Sequence, residues 1–235
     1  MDKREKYFEL IKSELLKGFS SAVKSIIIYG SAAGDRYVEK TSDINVLAVV
    51  KTAALEHARF SKPLNGLLRR GKVKILLFQE NEFYNAMDVF QVEFNEIKRQ
   101  HKIIFGENVI EQFEINFEQM RLQLERMARS NILKLRQGFF LTGGNAADLK
   151  GLMFSSVSSF LTILQNLLLL SKIEVEGDFS KYKTVLKDKL GLESGAIEDV
   201  YFMKYGRKIK HNELRSLFFL YYEQMGKIIE KINDL

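Results

Sequence analysis

Residues 3 to 19 repeat apolar side chains at helical spacing. Tyr7, Phe8, Ile11, Leu15 and Phe19 fall on roughly one face, with Gly18 near the end, which predicts an amphipathic helix. The pattern then changes period. "VKSIIIYG" (Val23 to Gly30) and "INVLAVV" (Ile44 to Val50) are short, β-branched apolar runs that predict buried strands, separated by a loop containing Gly and Ser. "AALEHARFSKPLNGLLRRG" predicts a helix interrupted near Pro63, the only proline, and "KVKILLF" predicts a third strand.

Strand-like runs stop after about residue 110. Long helical patterns such as "FEQMRLQLERMARSNILKLRQGFFL" and "NELRSLFFLYYEQMGKIIEKI" take over. The expectation is an α/β (α+β) domain with a mixed sheet over residues 1–110 and an all-α helical bundle over residues 111–235. "TGGNAAD" and "EVEGDFS" read as loops between helices, and the chain has no internal repeat. The aromatic set Phe218, Phe219, Tyr221 and Tyr222 reads as bundle core.

Gly151 to Leu170 carries no charge over about the length of a bilayer span. Ser155, Ser158, Ser159, Thr162, Gln165 and Asn166 nevertheless recur every three to four positions along it. That polar stripe predicts a buried bundle helix rather than a membrane segment. The N-terminus alternates charged with apolar residues and lacks the apolar core of a signal peptide, so a cytoplasmic protein without a membrane partner is expected.

Composition narrows the chemistry. The chain of 235 residues is 46% hydrophobic and 28% charged, enough to bury a core. It has no cysteine, which excludes disulfides, thiolate metal sites and cysteine nucleophiles, and its three histidines are scattered. The net charge is +6 and the pI about 9.3, with basic clusters at Arg69–Lys74 and Lys204–His211. Such an excess suits phosphate-bearing ligands or nucleic acid.

The stretch that draws these threads together is "YGSAAGDRYVEKTSDIN", between the first two strands. Gly30, Ser31, Ala32, Ala33 and Gly34 are all small, so the backbone there can approach phosphate oxygens. Polar side chains at i and i+2 on a strand share a face, which places Asp43 and Asn45 side by side. Carboxylates so placed can share magnesium ions that neutralise a triphosphate.

These residues resemble the nucleotidyltransferase superfamily of the DNA polymerase beta type. Its signature is a strand ending in Gly-Ser or Gly-Gly, a loop of about a dozen residues, then Asp-x-Asp or Asp-x-Glu on the next strand. A helical domain after it is also found in the bacterial minimal and kanamycin-type nucleotidyltransferases. Met87 to Val109 is similar to a segment of bacterial proteins of this kind. The resemblance implies transfer of a nucleoside monophosphate from a triphosphate to an acceptor. It implies that Gly30 and Ser31 cradle the nucleotide phosphates and that Asp43 is the first Mg2+ ligand, with Asn45 at the second catalytic and metal position. Ser42 and Lys74 are further nucleotide-binding candidates from the residues themselves. The partners it implies are a nucleoside triphosphate, a nucleic-acid or small-molecule acceptor, and a second copy in a homodimer.

Two departures weaken the implied metal site. Asn45 stands where the second carboxylate belongs, and an amide carries no charge and cannot bridge two ions. The strand "KVKILLF" has no acid where the family carries the base that activates the acceptor, and Lys74 occupies that region. Asp35, Glu39, Glu80, Glu82 and Asp88 are the acids nearby in sequence. A second reading is therefore a catalytically impaired relative that binds nucleotide, nucleic acid or a protein partner. A third, a toxin–antitoxin-like module in one chain, rests on analogy alone.

Overall fold

A four-stranded mixed sheet organises the N-terminal half, in the order β3-β2-β1-β4. The strands are β1 (Val23–Tyr29), β2 (Ile44–Val50), β3 (Val73–Gln79) and β4 (His101–Gly106). β1 pairs antiparallel with both β2 and β4, while β2 and β3 run parallel. The computed structural model describes residues 3–34, 37, 39, 42–52, 59–175 and 179–235. The chain forms two compact units, Met1–Asn116 and Phe117–Leu235.

Strand alternation feeds two separate cores. Ile26 and Ile28 of β1, Ile44, Val46, Ala48 and Val50 of β2 and Val73 of β3 pack on one face. They meet α1 (Lys3–Phe19) through Phe8, Ile11, Leu15 and Phe19, and α2 (Lys62–Arg69) through Leu64 and Leu67. On the other face, Ile27, Leu47 and Val49 meet Phe83 of α3 (Glu80–Asn85), Phe94 and Ile97 of α4 (Gln91–Arg99), and Phe113. Each central strand is therefore apolar on both faces. The unbroken runs at 26–28 and 46–50 follow from that.

Pro63 does not interrupt a helix. It sits in the first turn of α2, where the missing N–H costs nothing and the fixed φ suits helix entry. Of the stretch read as helix before it, residues 53–58 lie outside the described residues. Ahead of α2, the Ser61 N–H donates to Glu14 Oε2 of α1 at 2.5 Å.

The second unit is helical, built from α5 (Phe117–Thr142), α6 (Ala146–Leu170), α7 (Phe179–Leu190), α8 (Gly195–Lys204) and α9 (Leu214–Asn233). α6 is long and apolar enough to cross a membrane by length and composition. It packs against α5, α8 and α9, and buries Met153, Val157, Phe160, Ile163, Leu164 and Leu167. Its polar positions are used within the unit. Asn131 Nδ2 donates to Ser159 Oγ at 2.6 Å, and Asn166 donates to the Thr162 carbonyl at 2.8 Å. Of the four aromatics on α9, Phe218 and Tyr221 are core, whereas Phe219 is 47% exposed.

Candidate functional site

At one end of the sheet, the register sets a polar row across all four strands. Tyr29 pairs with His101 on one side and with Asn45 on the other, and Asn45 pairs with Lys74. Asn45 alternates with Leu47 and Val49, and Lys74 with Leu76 and Phe78, so both side chains share the face covered by α3 and α4. Asp43, two residues before Asn45, has the same parity.

Lys74 Nζ donates to Asp43 Oδ2 at 2.7 Å, a pair whose side chains are 62% and 40% exposed. Their sequence separation is 31 residues, and the parallel β2–β3 register closes it. Lys72, two residues earlier, is occupied differently. Its ammonium donates to the carbonyls of Glu39 and Ser42 and lies over the Tyr37 ring. Ser42 thus meets Lys72 through its backbone oxygen.

The turn after β1 is clamped from two helices. Gly30 has φ +71°, a conformation that glycine adopts without strain, and a methyl there would lie 3.5 Å from Asn45 Nδ2. The Gly30 N–H donates to the Gln100 carbonyl at 3.0 Å, so that amide is committed to the fold. The Ser31 carbonyl accepts the Gly34 N–H at 3.3 Å, closing a single turn, and Arg4 of α1 donates to the Gly34 carbonyl at 2.8 Å. The Gln100 side chain lies where any Cβ at Gly34 would have to go.

α4 brings two carboxylates toward this end of the sheet that strand reading missed. Glu93 and Glu96 stand one turn apart on α4, and the same helix ends at Gln100 beside Gly30. Burial pushes the Tyr29 phenol up to about 12, and the negative charges of Glu96 and Glu93 add to that effect. His101 closes the row. Its Nδ1 is 3.0 Å from the Ile97 carbonyl, and because a carbonyl only accepts, Nδ1 carries the proton.

The other nearby acids are placed elsewhere. Glu80 pairs with Lys24, and Glu82 caps the Gln79 N–H. Both follow the far end of β3, where Gln79 pairs with Val50, five residues along the sheet from Asn45 and Lys74 or roughly 17 Å. Glu39 pairs with Lys3 at the periphery. Asp88 lies in the turn after α3, and Asp35 lies outside the described residues.

Magnesium, the metal that the resemblance implies, prefers octahedral oxygen donors and is held through one or two carboxylates together with phosphate oxygens. Here Asp43 gives one oxygen to Lys74, Asn45 offers a neutral amide, and β3 has no acid in the row. Among the described residues, no group of three or more His, Asp or Glu stands close enough to hold a metal ion. The donor set of the described residues does not fit a two-metal centre.

The sheet order, the turn after β1 and the helical second unit together define a nucleotidyltransferase-like fold. The chain is similar to the spectinomycin adenyltransferase AAD(9) from Enterococcus faecialis, whose crystal structure contains ATP and spectinomycin. The TM-score is 0.55 at 11% identity, over 94% of this chain and 99% of that one. A nucleotidyltransferase-like protein from Exiguobacterium sibiricum 255-15 matches with a TM-score of 0.38 at 15% identity, over 96% of this chain and 74% of that one. No family model and no curated protein matches the chain.

Proposed function

We propose that the N-terminal unit binds a nucleoside triphosphate at the end of the sheet formed by Gly30, Asn45, Asp43 and Lys74. The observation that carries this reading is the polar row itself. A reachable ammonium, a glycine-containing turn and an uncharged amide meet at one end of the sheet, a combination suited to phosphate oxygens. The residues there hold and orient phosphates, and they lack the paired carboxylates that two-metal transfer needs.

Thermal unfolding of the full chain with each nucleoside triphosphate tests this, because a ligand that binds only the folded state raises Tm by mass action. A rise of several degrees at millimolar ATP is the expected result. No shift with any nucleotide, together with no binding by calorimetry, rejects the reading.

A second reading is transfer of a nucleoside monophosphate to a small-molecule acceptor. It is favoured by the extent of the likeness to the adenyltransferase, which runs through both units and not the sheet alone. Labelled ATP incubated with hydroxyl acceptors should then yield a labelled adduct, and its absence leaves binding as the function.

A further inference from the structure

We propose that the Lys74 ammonium takes the place of the divalent cation, so that this site binds the triphosphate of a nucleotide without magnesium. The inference rests on the nucleotide-binding reading above and says how that binding is achieved. Lys74 Nζ is 2.7 Å from Asp43 Oδ2, so the carboxylate of the expected metal position already faces a cation supplied by the chain. The β2–β3 register fixes that cation beside Asn45, on the sheet face it shares with Tyr29.

Three nearby cations among the described residues are engaged in structure. Lys72 is held by two backbone carbonyls, Arg4 by the Gly34 carbonyl, and Lys102 by Glu5. Lys74 is held by one exposed carboxylate and is itself 62% exposed. A surface pair of this kind contributes little, so a polyanion can displace it. A free triphosphate carries about four negative charges near neutral pH against the single charge of Asp43. Asp43 is then a counter-ion that competes with the nucleotide, and its removal should tighten binding. A metal-ligand role for Asp43 requires the opposite sign.

The experiment is calorimetric titration of the full chain with ATP and with inorganic tripolyphosphate, first in chelator and then in excess magnesium. Both probes should bind in chelator. Magnesium should weaken them about 3- to 10-fold, because chelation removes two charges from the polyanion. Asp43→Asn should tighten metal-free binding about 2- to 5-fold. Lys74→Met should weaken it about 10-fold or more, and Lys74→Arg should restore most of it. Thermal melts matching the parent chain establish that the variants are folded.

Binding that requires magnesium, or that weakens in Asp43→Asn, overturns the inference and leaves nucleotide binding standing. ATP binding with no tripolyphosphate binding also overturns it, since the base and not Lys74 would hold the ligand. Absence of ATP binding under both conditions overturns the inference and the underlying function together.

Discussion

Lys74 Nζ and Asp43 Oδ2 stand 2.7 Å apart across two parallel strands, both in contact with solvent. Exposed pairs of this kind contribute about 0–1 kcal/mol, because high dielectric and side-chain entropy offset the Coulomb gain. Asp43→Asn should therefore change the free energy of unfolding by less than about 1 kcal/mol in a urea titration. A loss well beyond that would make Asp43 a structural cap of the loop before β2 rather than a group held for ligand chemistry.

Glu14 makes the opposite case, a buried carboxylate used for structure. It is 5% exposed, and its Oε2 accepts the N–H of Ser61, the residue before α2. That bond holds the Glu14 carboxyl below its usual value, against the burial that acts to raise it. A depressed folded pKa means stability that is present above the unfolded value, near 4.5, and lost as pH falls through and below it. The parent chain should show this acid slope in urea midpoints. Glu14→Gln keeps an acceptor for Ser61 but should cost about 1 kcal/mol near neutral pH and flatten the slope.

Gly106 and Gly71 separate two costs that are usually mixed. Both have positive φ, +78° and +67°. A Cβ at Gly106 would lie 1.9 Å from the Lys24 carbonyl oxygen, while one at Gly71 meets nothing within 4 Å. Gly71→Ala should cost about 1–2 kcal/mol, the penalty of the left-handed backbone alone. Gly106→Ala should cost clearly more, because backbone of β1 must move and the β1–β4 pairing with it. Equal urea midpoints for the two variants would show that β4 yields freely.

What could be read from the chain follows its apolar periodicity. α1 and β2 have the bounds that their patterns imply, since Phe8, Ile11, Leu15 and Phe19 repeat at helical spacing and residues 44–50 form one apolar run. β4 was missed because it is an edge strand. His101 and Lys102 open it, and its side chains are only partly buried, so it carries neither a continuous run nor a clean alternation. α4 was missed for a related reason. Its polar residues Gln91 and Asn95 are buried against the domain, which blurs its face. The site suffered most from these omissions. Asp43, Asn45 and Lys74 are visible in the sequence, but their contact depends on the β2–β3 register. The approach of Gln100 to Gly30 depends on the return of the chain through α4 and β4.

Tyr29 gives that return path a direct readout. Its phenol is pushed up to about 12 by burial first, then by the charges of Glu96 and Glu93 on α4. Because the folded value is raised, the neutral phenol stabilises the fold. That stability is complete below the unfolded value near 10 and is lost as pH rises toward 12, at no more than about 1.4 kcal/mol per pH unit. In an ultraviolet titration of the tyrosinate band, Tyr29→Phe should remove a step near pH 12. Glu96→Gln should move that step to lower pH while burial keeps it above the usual tyrosine range. If Glu96→Gln leaves the step where it was, α4 does not present this carboxylate to the row, and the acid it brings to this end of the sheet must be assigned to Glu93 alone.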